Sequence, residues 1–147
     1  MPYWNEAFSS RGCRLSFVNA RGGRPTSEGV EVIANLARLG WLPDVLVVAL
    51  GTNDSIDPRT FAPKVQQIMR LAGRRQVVWV NIDKPWVEAT LNLALGLAKV
   101  LYPNLWVYDW NTFADRFPQL RLADRIHLTR GGYELRAALV AQYVSGR

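Results

Sequence analysis

Residues 44–54 read DVLVVALGTND. From Val45 to Leu50 the run is apolar, rich in Val and Leu and too short for a comfortable helix, and it stops at a Gly51-Thr52-Asn53-Asp54 turn. A run of this kind reads as a strand buried on both faces, the mark of a parallel sheet between helical layers. In open α/β sheets ligands sit beyond the carboxyl ends of the strands, so Asn53 and Asp54 stand where chemistry is expected. The plainer alternative is a turn that caps the next helix.

Downstream, Phe61, Val65, Ile68 and Ala72 mark one face of a helix that Gly73 stops, with Pro63 expected in its first turn, where no internal hydrogen bond is lost. Residues 76–82 (QVVWVNI) form a second buried-type strand. After Pro85 a nearly all-apolar helix spans 86–101, and its Asn92 is expected to bond loop backbone. A short strand follows at 105–108 and ends at Asp109. Beyond a turn-rich stretch with Phe113, Phe117 and Pro118, the last helix covers about 131–144, anchored by Leu135, Leu139, Val140 and Tyr143.

Upstream, Val30, Ile33, Ala34 and Ala37 repeat at helical spacing over 27–39, with Thr26 or Ser27 placed to cap the helix and Gly40 to end it. Residues 13–20 (CRLSFVNA) alternate enough to be a strand. Residues 2–10 make a short helix with Tyr3, Trp4, Ala7 and Phe8 inward and Gly12 at its end. Helices thus alternate with strands throughout, which argues a single α/β domain: a three-layer α/β/α fold with a parallel, doubly wound sheet.

Composition bounds the function. The chain has 147 residues, half of them apolar and a fifth charged, as expected of a globular domain. Eighteen Lys and Arg against twelve Asp and Glu leave a net charge of +6, which favours an acidic partner or substrate. The arginines are scattered and no nucleic-acid-binding motif occurs, so no nucleic-acid partner is expected. With a single histidine and the lone Cys13, which reads as a core residue, no protein-built metal site and no cofactor are expected. No apolar stretch reaches membrane-spanning length, and the first residues do not read as a signal peptide. Compartment and oligomeric state are not legible.

Three loops at strand ends carry unusual polar content: 21–27, 51–54 and 122–129. The third holds the histidine, in Asp124-Arg125-Ile126-His127-Leu128-Thr129. A spacing of three lets carboxylate and imidazole lie side by side in one irregular turn. The acid could then fix the ring's tautomer and stabilise its cation. The alternative is a helix-entry turn capped by Thr129.

Taken together, VNARGGRPTSEG, GTND and DRIHLTRGGY resemble the second, third and last blocks of the SGNH (GDSL-type) hydrolase family, over nearly the whole chain. The resemblance implies a flavodoxin-like sheet and ester hydrolysis or acyl transfer on a small-molecule or carbohydrate ester. It also implies His127 as general base, Asp124 as its orienting acid, and an oxyanion hole built from the Gly23 backbone N–H and the Asn53 side-chain amide. A glycine permits close approach, and an amide NH₂ can point at developing negative charge.

The family's first block, a Gly-Asp-Ser turn that supplies the nucleophile, has no counterpart in the 147 residues. Ser9, Ser10, Ser16, Ser27 and Ser55 are each poorly placed to replace it, Ser55 least so. The resemblance therefore implies a sequence that starts after the first, central strand, with Met1 an internal methionine. An empty slot there would orphan roughly five to ten backbone groups at ~1–3 kcal/mol each, against a total stability of ~5–15 kcal/mol. The flanking strands must pair directly, another chain must fill the gap, or sequence precedes Met1, which the pattern favours. The expectation is an SGNH-type ester hydrolase domain, inactive as this chain. The alternative is a non-catalytic binding module for an acylated or acidic glycan.

Overall fold

The computed structural model describes residues 2–146, in the order α1 (Pro2–Ser9), α2 (Thr26–Leu39), β1 (Val45–Val48), α3 (Pro58–Ala72), β2 (Gln76–Val80), α4 (Glu88–Leu101), β3 (Leu105–Tyr108), α5 (Trp110–Arg116), a 3-10 turn at Pro118–Leu120 and α6 (Arg130–Ser145). Residues 23–111 make one compact unit, and the flanking segments, up to Gly22 and from Thr112, make a second.

In the first of these units the three strands pair in parallel in the order β1-β2-β3. Val45 lies opposite Gln76, and Val77 opposite Leu105. Helix α3 packs against both α2 and α4. Phe61, Val65, Ile68 and Ala72 of α3 meet Val77 and Trp79 of β2 and Leu91 and Leu95 of α4 in one apolar core. Every one of those side chains is fully buried. Trp79 anchors this layer twice: its ring meets Phe61 edge-on at 5.8 Å, and its Nε1 donates to the Leu50 carbonyl at 3.0 Å. Val78 and Val80, on the other face of β2, are buried as well, which accounts for the unbroken apolar run in its sequence.

In the second unit α1 packs on α6, with the rings of Tyr3 and Tyr133 stacked at 6.3 Å. Phe8 is buried, and Gly12, at φ 70°, turns the chain after α1. Helix α6 buries Gly132, Ala137, Val140 and Ala141. Leu135, expected as an anchor, is exposed, because the small residues and not the leucines define the packed face.

Several expectations are corrected. Residues 13–20 form no strand, and most of them are exposed. A strand is held by its ladder and its cross-strand pairs, and this segment joins none of the described ladders. Cys13 is half-buried at a turn, outside the core. Pro63 lies inside α3 and not in its first turn, because Asp57 caps that helix by accepting from the Arg59 N–H and Pro58 takes the first position. Helix α4 starts at Glu88, two residues late, since Trp86 adopts φ 74°, outside the helical region. Asn92 bonds loop backbone as expected, accepting from the Ile82 N–H and donating to its carbonyl, both at 2.8 Å.

Candidate active site

In the unit of residues 23–111, the GTND turn leaves the carboxyl end of β1 under several constraints. Gly51 has φ 119°, and a Cβ there would stand 2.5 Å from Ile82 Cγ1, so only glycine fits. The Lys84 ammonium donates to the Thr52 carbonyl at 2.9 Å. Asp54 is buried and accepts from both the Thr26 N–H, at 2.9 Å, and the Thr26 hydroxyl, at 2.6 Å, while its other oxygen pairs with the Lys64 ammonium.

Those bonds correct the expected cap of α2. Its N-cap is Pro25, with no side-chain cap, and Thr26 is already helical. A carboxylate from 28 residues away does the capping, satisfying an orphan N–H and placing negative charge at the positive end of the helix dipole. The 51–54 turn and the loop that enters α2 are thereby tied together. Asn53 adds a long bond from its Nδ2 to the Arg24 carbonyl, 3.4 Å, and its exposed amide keeps a second N–H. Gly23, at φ 72°, is exposed, with open space around its Cα.

In the other unit, Asp124 and His127 meet within one turn. An isolated antiparallel bridge between Arg121 and Leu128 closes it, supported by the Leu122 N–H donating to the His127 carbonyl at 2.7 Å. Asp124 Oδ1 accepts from the N–H groups of Ile126 and His127, both at 2.9 Å. Asp124 Oδ2 lies 2.8 Å from His127 Nδ1. Arg125 is held at φ 58°, a left-handed conformation costing ~1–2 kcal/mol in a non-glycine residue, which these bonds offset. The bond from the His127 ring, followed by the two backbone N–H bonds, draws the Asp124 carboxyl down to about 2. With Nδ1 donating to the carboxylate, Nε2 carries the lone pair a base needs. The dyad is open, with the His127 side chain 65% exposed.

The rest of DRIHLTRGGY is structural. Thr129 caps α6 by accepting from the Gly132 N–H at 3.1 Å. A Cβ on Gly132 would stand 2.4 Å from the Leu120 carbonyl oxygen, so the helix enters only with glycine there.

No serine hydroxyl is aimed at this imidazole among the described bonds. Ser55 shares a 3.0 Å bond with Thr60, and Ser10 donates to the Ala7 carbonyl. Ser27 lies in the first turn of α2, and Ser16 is exposed in the unpaired 13–20 segment. Among the described residues no group of three or more His, Cys, Asp or Glu could hold a metal ion, and no helix is long and apolar enough to cross a membrane. A shallow groove of about 370 Å³ bordered by Asp44, Arg74 and Arg75 lies at the amino ends of β1 and β2, the end opposite the GTND turn. The supports that sequence reasoning missed are the pairing of Asp54 with Thr26 and Lys64, the Lys84 bond to the turn, and the need for glycine at 132. Asp54 and Gly132 had a local signal in their motifs, and the two lysines had none.

No family model and no curated protein matches the chain. Among solved structures it is similar to the C-terminal catalytic domain of peptidoglycan O-acetyltransferase A (OatA) of Streptococcus pneumoniae, with a methylsulfonyl adduct. That likeness has a TM-score of 0.72 at 20% identity and covers 99% of this chain and 85% of that one. It is also similar to a peptidoglycan O-acetylesterase, with a TM-score of 0.55 at 15% identity, over 84% of this chain and 44% of that one. The likeness shows a shared fold, an α/β one built on a parallel sheet with flanking helices.

Proposed function

We propose that this chain carries the acid–base and oxyanion half of an acyl-ester site, the class of ester hydrolysis or acyl transfer, and that it is inactive alone for want of a nucleophilic serine. The observation that carries the reading is the Asp124–His127 pair, whose ring is oriented by the carboxylate at 2.8 Å and whose Nε2 is left for proton transfer. In this reading His127 takes the proton of an attacking hydroxyl and returns it to the leaving alcohol. Asp124 fixes the tautomer and stabilises the imidazolium. The sequence resemblance supplies the oxyanion donors of this reading, the Asn53 amide and the Gly23 N–H. The substrate class is a carbohydrate ester, and the peptidoglycan O-acetyl enzymes with which the chain shares its fold support that choice.

The test supplies a serine. The chain is extended ahead of Met1 by an apolar strand ending in Gly-Asp-Ser and assayed for hydrolysis of 4-nitrophenyl acetate and for fluorophosphonate labelling. The extended protein is expected to turn over and to label at the new serine, the His127→Ala version of it to lose turnover, and the 147-residue chain to do neither. Robust serine labelling of the unextended chain would overturn the inactivity. A folded, extended protein whose activity is undiminished by His127→Ala would overturn the assignment of the base.

A second reading rests on the net charge of +6 and on the absence of an aimed hydroxyl among the described bonds: a module that binds an acylated or acidic glycan without reacting. Calorimetry of the 147-residue chain with an O-acetylated glycan separates the two. Affinity undiminished in His127→Ala favours the binder.

A further inference from the structure

Helix α4 turns one apolar face into the core and a second into solvent. Leu91, Ala94, Leu95 and Ala98 are buried. Ala89, Leu93, Gly96, Leu97 and Val100, at spacings of four, three, one and three, form a stripe on the opposite side, and every one of them is exposed. Leu93 is 65% exposed, Leu97 62% and Val100 82%, with Leu101 extending the stripe at 67% and Trp86 standing just ahead of the helix at 87%. Scattered exposed hydrophobics need no explanation, but a continuous stripe along a whole helix marks an interaction surface.

Gly96 sharpens the point. Glycine in a helix interior is unfavourable, and its own fold gives no reason for it, since a Cβ there would meet nothing within 4 Å. A second helix laid along this face would use the missing side chain as a place of close approach.

We propose that this face is a two-fold interface with a second copy of the chain, α4 packed antiparallel on α4 about Leu93. Self-complementarity is what a two-fold contact requires, and the stripe has it. With Leu93 on the axis, residue i meets residue 186 − i of the second copy. Ala89 then falls opposite Leu97, Thr90 opposite Gly96, and Trp86 opposite Val100, so in each pair a smaller residue faces a larger one, and two of the three pairs are wholly apolar. Lys99, at the margin of the stripe, falls beside the second copy's Glu88 and Trp86, which matches charge to charge and cation to ring. Antiparallel helix dipoles add to the fit. Trp86, Leu93, Leu97, Val100 and Leu101 supply on the order of 500 Å² of apolar side-chain surface per copy. A standard interface buries ~800 Å² per partner, so the stripe provides the apolar centre and its polar flanks the rim.

Sedimentation analysis of the purified chain over a range of concentrations tests this. The wild type is expected to dimerise reversibly. Leu93→Glu sets two like charges on the axis and is expected to raise the dimer dissociation constant about a hundredfold or more without changing the circular dichroism spectrum. Because residue 93 meets itself, Leu93→Cys in a Cys13→Ser background is expected to form an intermolecular disulfide on mild oxidation, whereas Glu31→Cys, on α2, is not. A monomer at every concentration, a dimer indifferent to Leu93→Glu, or absence of the residue-93 cross-link would overturn the proposal. So would a face that binds lipid vesicles while the protein stays monomeric.

Discussion

Replacing Asp54 with alanine isolates the contact that ties the GTND turn to the start of α2. The side chain is fully buried, and the substitution strands both donors of Thr26, a residue that is itself 0% exposed. Each orphaned donor costs ~1–3 kcal/mol. Lys64 is 25% exposed and can turn its ammonium into water, so its lost partner adds only ~0–1 kcal/mol. The sum is a destabilisation of about 2–7 kcal/mol, a large share of the ~5–15 kcal/mol typical of a domain. Asp54→Asn keeps an acceptor oxygen for Thr26 but presents an amide NH₂ to Lys64, so about 1–2 kcal/mol is expected there.

Equilibrium urea unfolding with linear extrapolation reads both values, provided the slope is unchanged. Thr26→Val, which removes only the hydroxyl donor, completes a double-mutant cycle. Because the hydroxyl acts through the same carboxylate oxygen as the backbone N–H, a coupling of ~1 kcal/mol or more is expected. A loss below about 1 kcal/mol for Asp54→Ala, additive with Thr26→Val, would show that the loop entering α2 is satisfied by other means and would refute the reasoning.

Two further outcomes follow from hydrogen bonds at other loops. Asn92→Ala leaves the N–H and the carbonyl of Ile82 without the partners they now have at 2.8 Å, and is expected to lower stability by ~2–4 kcal/mol, read as a fall in Tm; an unchanged Tm would mean that water replaces the amide. Asp124, drawn down to about 2 from an ordinary 3.8, binds its proton less readily folded than unfolded, so its stabilisation of the 122–129 turn is complete above roughly pH 4 and is lost as the pH falls through 2. Protection of the Ile126 and His127 amides, taken relative to their intrinsic exchange rates, should fall over that window and show no such step in Asp124→Asn; equal protection in both proteins across the window would remove the carboxylate from the account.

How far the sequence could be read depended on the range of the interaction that decides each element. The strands at 45–48, 76–80 and 105–108 were visible because burial on both faces writes itself as an apolar run. The Thr129 cap acts within three residues, as does the Asp124–His127 pair, so spacing alone points to both. Residues 13–20 mislead for the converse reason: alternation records a capacity to fit a pleated surface, and strand formation waits on a neighbour elsewhere in the chain. Helix α5 has seven residues of mixed character and gives too short a period to detect. The Thr26–Asp54 contact joins residues 28 apart, and nothing local announces it.

The same distinction separates the two parts of the proposed machinery. The base and its acid are held by a turn that satisfies itself: two backbone N–H groups and one ring nitrogen converge on a single carboxylate within four residues, and the Arg121–Leu128 bridge closes the ends. The Asn53 amide has no such local support. Its orientation depends on a long bond to Arg24 and on Asp54 next to it, which is fixed by partners from α2 and α3. A change that loosens the packing of α2 or α3 should therefore disorder Asn53 well before it disturbs His127. In the serine-extended protein, such a change should depress kcat through lost oxyanion stabilisation, on the order of 10²–10³ for one donor, while the pH dependence set by the imidazole stays where it is. A shift of that pH profile together with the fall in kcat would mean that the two parts share more structure than their hydrogen bonds indicate.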